Sequence, residues 1–523
     1  MSIISKKTVA RAAGVILAIS IIGRLLGFIR EQVIAARFGT SMYTDSYLMA
    51  FTLPNLIYVI IGGALATALI PVFTEVMVKS GKTAASRMAS TIINSSVLGM
   101  LLLCALGIWA APVLVAGIAP GFSGETSLLT IKLSRIMFPC ILFMALSLLL
   151  GGILNALKNF AIPAFTSVAF STVIIAAVYI LVPAWGIFGL AVGTLLATMA
   201  QVMIQLPALK KQEITYCLEM DFSQPGVRRV WELMAPAMVG ISINQLYITI
   251  DRILASGLVE GSISALNFAN RLMFLPYNLF VAAINTAVFP TLSEQAAATD
   301  YEAMGRTTVF GLNLIAFFTI PAAVGLFVLA EPLVRLLFEH GAFDSRSTQM
   351  TVFALHFYVL GLYSQGAYNM MNRTFFALQD TRTPVKISLF TVFLNLVFCL
   401  ILIGPLAHGG LALATAIAAT CNMIIVYYVL RRRLPALPEK QLFSTLGKII
   451  LASLVMGAAV YISNHYLGGF WDSSYLKNQI MQVGLCMLLG IFTYGAIVLQ
   501  MRIEEVDYIK HRIINFLRSR RAA

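Results

Sequence analysis

The sequence predicts an all-α integral membrane protein of about fourteen transmembrane helices, with no soluble domain, built as two parallel six-helix repeats plus two C-terminal helices. Three observations predict this: a shortage of charge, apolar runs of bilayer length, and an internal repeat. Of 523 residues, 59% are hydrophobic and 11% charged, against roughly 25% charged in an ordinary soluble protein. So little charge cannot cover a water-soluble surface. Runs such as Val97 to Ala116 and Ile387 to Gly404 approach the roughly 20 residues that cross a bilayer core as helix. Helix satisfies its own backbone in lipid, and these continuous runs lack the alternation of a membrane barrel.

In chain order the helices are expected at 12–37, 45–73, 90–117, 128–157, 162–183, 187–209, 231–257, 264–290, 307–330, 348–376, 385–403, 410–430, 446–465 and 479–500. The start, Lys6 and Lys7 followed by Ala12 to Gly23, is like a signal peptide. The apolar stretch runs into Arg24 without a small-residue cleavage site, however, and an amphipathic pattern continues to Phe38, so a retained first helix is expected.

With the N-terminus in the cytoplasm, the inner segments carry Lys6, Lys7, Arg11, Lys79, Lys82, Arg87, Lys158, Lys210, Lys211, Arg228, Arg229, Arg306, Arg382, Lys386, Arg431 to Arg433, Lys440 and a basic tail from Arg502 to Arg521. The outer loops are nearly free of lysine and arginine, the exception being 331–347 with Arg335 and Arg346. This is the positive-inside pattern, with both termini cytoplasmic. The net charge of +14 is therefore a topology signal strung between apolar runs, and nucleic acid is not an expected partner. Six scattered cysteines, without a CxxC pair or metal-ligand spacing, read as inert apolar side chains.

The repeat is read from three matches. Thr67-Ala68-Leu69-Ile70-Pro71-Val72-Phe73-Thr74-Glu75 recurs as Thr286-Ala287-Val288-Phe289-Pro290-Thr291-Leu292-Ser293-Glu294, 219 residues on. Ala156-Leu157 with Pro163 recurs as Ala377-Leu378 with Pro384, and Gly189-Leu190-Ala191 with Thr194 as Gly410-Leu411-Ala412 with Thr415, both 221 residues on. Segments 1–6 and 7–12 are thus two copies of one unit, parallel because six is even, giving divisions at 1–220, 221–440 and 441–523. Parallel repeats are a transporter architecture whose substrate site is expected between the halves.

Intramembrane charge is costly, at roughly 2.5–3.5 kcal/mol for arginine at a helix centre on insertion scales, so the few such residues are informative. They are Arg24 and Arg30 in the first segment, Asp45 at the start of the second, Asp251 and Arg252 in the seventh, and Arg271 in the eighth. Asn267, Arg271 and Asn278 make a polar stripe, and Gly27 removes bulk beside the first two arginines. Two readings stand. The arginines either snorkel to an interface and pair with Asp45, Glu31 or Asp251 to fix packing, or line a cationic cavity whose guanidinium forks suit phosphate, which implies an anionic substrate. Asp251, Asn395 and Thr415 offer oxygen ligands for sodium if they converge; the alternatives are an Asp251–Arg252 pair and a Thr415 hydroxyl bonded to its own helix.

Signatures of catalysis are absent. Gly81-Lys82-Thr83 resembles the end of a phosphate loop, but Val76 replaces its first glycine and the segment joins two membrane helices. There is no HExxH, and the five histidines are isolated from one another. No enzymatic activity and no bound cofactor are expected.

Gly23-Arg24-Leu25-Leu26-Gly27-Phe28-Ile29-Arg30, Thr44-Asp45-Ser46-Tyr47, Leu53-Pro54-Asn55-Leu56, Gly152-Ile153-Leu154-Asn155 with Ile162-Pro163-Ala164-Phe165, Asn270-Arg271-Leu272-Met273 with Pro276, and Gln379-Asp380 with Thr383-Pro384-Val385-Lys386 together resemble the MurJ (MviN) family of lipid II flippases, over nearly the whole chain. The resemblance implies the fold of the multidrug and oligosaccharidyl-lipid exporter superfamily, with V-shaped bundle halves. It implies transport of lipid II to the outer leaflet of the bacterial cytoplasmic membrane by alternating access, for peptidoglycan synthesis, with export of other lipid-linked oligosaccharides or of drugs as the alternative. Arg24, Arg30 and Arg271 match the family's cavity arginines and Asp45 its acidic residue; with Asn55 and Ser264 they form the candidate substrate-binding set. The last two helices would hold the polyprenyl tail. Expected partners are lipid II, membrane lipids and the cell-wall synthesis machinery, with the chain a monomer. The chain departs from some relatives at Tyr58 and Val59, where paired arginines stand, at Phe274, where an acid stands, and at Cys399, where sodium-binding members carry a second acid. The membrane potential is accordingly the expected driving force, with sodium as the alternative.

Overall fold

A computed structural model describes residues 6–434, 437–470 and 475–501; among them there is no strand, and the basic tail expected at 502–523 lies outside them. The chain forms two compact units. The first comprises Met1–Ser264 with Gly341–Phe343, the second Ala265–His340 with Asp344–Ala523.

The first unit holds α1 (Lys6–Phe38), α2 (Met42–Ile57), α3 (Gly63–Trp109), α4 (Ala111–Ile118), α5 (Gly124–Met137), α6 (Cys140–Ala156), α7 (Ala161–Ile180), α8 (Val182–Trp185), α9 (Ile187–Lys211) and α10 (Pro225–Ala255). The second holds most of α11 (Ser262–Pro276), then α12 (Ala282–Ala297), α13 (Tyr301–Val328), α14 (Ala330–Phe338), α15 (Ser345–Tyr358), α16 (Leu362–Ala377), α17 (Arg382–Arg433), α18 (Glu439–Phe470) and α19 (Leu476–Gln500). Each of the fourteen expected segments falls on helical backbone. Among the described residues eight continuous helical stretches are long and apolar enough to cross a membrane, or nine with the bent pair α5–α6. Two of these each take in two expected segments, in whole or in part: Met42–Trp109, broken at Gly81 (φ 82°), with the end of segment 90–117 falling in α4, and α17, broken at Ala407 (φ 46°).

The breaks repeat as the sequence does. Prolines lack the N–H that an inner turn needs, and Pro54 and Pro276 each precede a π-helical turn, Tyr58–Gly62 and Tyr277–Val281, again 219 residues apart. Such turns are frequent at functional sites. Left-handed backbone recurs at Lys158 and Gln379, and at Gly186 and Ala407, both pairs 221 residues apart. At the first pair the following amides, Asn159 and Asp380, reach back to the carbonyls of Leu154 and Phe375 at 2.8 and 3.0 Å, closing α6 and α16 in the same way. Thr194 and Thr415 each donate to the carbonyl four residues back, Leu190 and Leu411.

Lipid removes the hydrophobic drive between helices, leaving packing and hydrogen bonds to hold them together. In the first unit Leu69, Phe73, Met88 and Ile92 of α3 pack with Leu149 and Ile153 of α6 and with Val227 and Val230 of α10. A Cβ on Gly226 would lie 2.5 Å from the Met88 sulfur. This contact carries α10 into the first unit, so the packing boundary at Ser264 falls one helix later than the sequence repeat. In the second unit Leu312 and Ile315 of α13 meet Met370 and Phe375 of α16 and Val426 of α17. On its other side α13 receives α18 and α19 through Met456 and Tyr494; Tyr494 Oη donates to the Phe317 carbonyl at 2.9 Å. Such bonds average only about 0.6 kcal/mol in membranes, so packing carries most of this attachment.

Candidate functional site

Helix ends leave unsatisfied N–H groups, and α2 and α11 satisfy each other's. Asp45, in the first turn of α2 and 3% exposed, accepts from the amides of Gly261 at 2.7 Å and Ser264 at 2.8 Å. In return Glu260 accepts from the Met42 amide at 2.7 Å. Both carboxylates therefore sit at helix N-termini, where the helix dipole favours them. The backbones meet closely. Gly261 (φ 91°) passes Thr40 so near that a Cβ would lie 2.7 Å from its carbonyl oxygen, and Gly341 (φ 63°) stands likewise 2.3 Å from the Ala36 oxygen. Neither position has room for a side chain, and the Ala342 amide donates to that same Ala36 oxygen at 2.8 Å.

Of the arginines in α1, Arg24 is exposed. Its neighbour Gly23 lies against α7, where a Cβ would be 2.4 Å from Ser167 Oγ, a tighter approach than that of Gly27. Arg30 is half-buried, donates to Glu31 at 2.7 Å and lies over the Phe170 ring at 5.4 Å. Glu31 is one of the partners that the packing reading named. Arg252 donates to Thr52 Oγ1 at 2.7 Å, one turn before Asn55, which is half-buried beside Pro54. Tyr58 and Val59 open the first π-turn.

In the second unit Arg271 is exposed on α11, with Asn267 one turn before it and Asn278 inside the second π-turn. Phe274 packs edge-on against Tyr277 at 5.2 Å. Asn395, Cys399 and Thr415 are all buried in α17, while Asp251 is half-buried in α10 of the first unit. Among the described residues no group of three or more His, Cys, Asp or Glu could hold a metal. All six cysteines are free thiols, four buried and two half-buried. His356 and His408 donate to the carbonyls of Phe327 and Met350. On the extramembrane side, Thr383 donates to Asp380 through its hydroxyl at 2.7 Å and its amide at 3.0 Å, which holds that carboxyl below the usual carboxylate range.

Residues 34–481 match the family model described as lipid II flippase MurJ. The chain belongs to the MurJ family. The match begins after Arg24 and Arg30. A lipid II flippase MurJ from Burkholderia cenocepacia is 30% identical over 460 residues, 86% of this chain and 89% of that one. A probable lipid II flippase MurJ from Rickettsia prowazekii is 29% identical over 507 residues, 95% and 98% of the two chains. Among solved structures, a lipid II flippase MurJ in an inward closed conformation superposes with a TM-score of 0.80 at 28% identity, over 94% of this chain and 99% of that one. An inward-facing multidrug transporter of the MATE family superposes at 0.69 with 16% identity, over 82% and 99%, a likeness of fold alone. The MurJ family is a transporter family, and the chain is a multi-pass membrane protein.

Sequence reasoning missed Glu260, whose partner is 218 residues away, and Arg373 of α16, whose guanidinium lies over Phe289 at 5.6 Å.

Proposed function

We propose that this chain flips lipid II, the undecaprenyl-pyrophosphate-linked disaccharide-pentapeptide, from the inner to the outer leaflet of the bacterial cytoplasmic membrane by alternating access. The observation that carries this is the likeness to a lipid II flippase MurJ along 94% of the chain at 28% identity. Arg24 and Arg271 supply exposed guanidinium forks for the pyrophosphate, and Arg30, tied to Glu31, adds positive field nearby on α1. The polyprenyl tail stays in lipid against α18 and α19. The chain works as a monomer beside the cell-wall synthesis machinery, with both termini cytoplasmic. That orientation puts the caps formed by Asp45 and Glu260 at the outer side.

The driving force follows from charge. An inside-negative potential favours outward movement of negative charge by about 2.3 kcal/mol per elementary charge per 100 mV. A dianionic pyrophosphate that crosses while the arginines move little gains most of this, without ATP. Sodium coupling through Asp251, Asn395 and Thr415 is the competing scheme; Thr415 already donates to Leu411, and Cys399 stands where an acid would strengthen the site. In cells relying on this chain alone, collapsing the potential should stop lipid II reaching the outer leaflet more completely than removing sodium. Arrival that survives loss of the potential but stops without sodium would reverse the order.

A further inference from the structure

A second polar cluster lies wholly within the second unit, around the π-turn Tyr277–Val281, in the part of the bundle formed by α12, α16 and the start of α17. Asn369, Asn372 and Arg373 share one face of α16 by their spacing. Asn285 of α12, 4% exposed, donates to Asn369 Oδ1 at 2.9 Å. The Tyr277 side chain, which opens the π-turn, lies beside Asn369 and Arg373. Tyr368 and Ser388 exchange a hydrogen bond of 2.6 Å beside them. The Arg373 side chain is exposed and rests on the Phe289 ring. Two buried amide oxygens of the cluster, Asn285 Oδ1 and Asn372 Oδ1, have no hydrogen-bond partner. A buried acceptor left unmatched costs about 1–3 kcal/mol, which points to a ligand that brings donors.

The chemistry distinguishes two ends of one substrate. A phosphate offers only acceptors, so it would satisfy Arg373 and leave the two amide oxygens unmatched. A peptide offers carboxylates for the guanidinium and N–H groups for the oxygens. Distance agrees. Phe289, beneath Arg373, is 18 residues from Arg271 along α11 and α12, roughly 27 Å at the helical rise. A pyrophosphate at Arg271 therefore cannot also reach Arg373, whereas a pentapeptide extends up to about 17 Å and the disaccharide lies between it and the pyrophosphate. We propose that Arg373, Asn369, Asn372 and Asn285 form a subsite for the peptide stem of the lipid-linked substrate, with Arg373 on a stem carboxylate. The assignment rests on the reading of Arg271 as a pyrophosphate arginine.

The test uses the full chain in lipid nanodiscs and two probes: undecaprenyl-pyrophosphate disaccharide carrying the pentapeptide, and the same lipid without peptide. Arg373→Ala should weaken binding of the peptide-bearing lipid about tenfold and leave the peptide-free lipid unchanged. Asn369→Ala, which removes no charge, should show the same selectivity with a smaller loss. Arg271→Ala should weaken both lipids. Equal loss of both lipids in Arg373→Ala, or loss of neither, overturns the peptide subsite. Loss of neither lipid in Arg271→Ala would instead remove the pyrophosphate assignment, while the Arg373 arm decides the subsite by itself.

Discussion

Replacing Arg24 or Arg271 with alanine should abolish growth of cells that depend on this chain while leaving its membrane abundance near normal. Both side chains are exposed, so truncation opens no cavity in either packed core. The loss of function is expected from the charge removed opposite a dianion. Two unit charges 4 Å apart attract by about 4 kcal/mol at an effective dielectric constant near 20, and about 2.7 kcal/mol is already a hundredfold in binding. Lysine restores the charge but not the two-pronged geometry, so the lysine variants should rescue growth only in part. Arg30→Ala should combine lost binding with lower abundance, because it strips Glu31, 7% exposed, of a bound cation. Full growth with alanine at both Arg24 and Arg271 would remove them from the site.

The second large effect is expected at Asp45. Its carboxylate holds two helix-terminal amides in a buried place, and hydrogen bonds to charged groups are worth about 1.5–3 kcal/mol each. Asp45→Ala should free the amides of Gly261 and Ser264, raising hydrogen exchange across 258–266 at least tenfold and stopping transport. Asp45→Asn keeps one acceptor and should fall between the two. Exchange unchanged in Asp45→Ala would mean that the cap does not hold the start of α11.

Much of the fold is legible in the sequence because bilayer length and the positive-inside pattern act locally. Val97 to Ala116 and Ile387 to Gly404 announce helices by composition alone. The repeat is legible for a related reason: the 219- and 221-residue offsets that join short motifs also join the π-turns and the left-handed residues, because like sequences break their helices alike. The site is legible only where it costs energy locally, as at Arg24 and Arg271. Glu260 looks like an ordinary loop acid until α2 is placed beside it. Arg373 looks like a residue at the end of a membrane helix until Phe289, Tyr277 and Asn285 are brought to it from a helix some ninety residues earlier. The placement of α10 in the first unit escapes the repeat altogether, since Val227, Val230 and Gly226 commit it to α3 by shape.

The most direct measurement follows the substrate across the membrane. In cells where this chain is the only flippase, its controlled depletion is followed by a probe that labels lipid II solely in the outer leaflet. Lipid II should accumulate while its externally labelled fraction collapses before growth stops, and re-expression should restore labelling. Undiminished labelling after the chain has gone, with no other flippase present, would contradict a role in flipping.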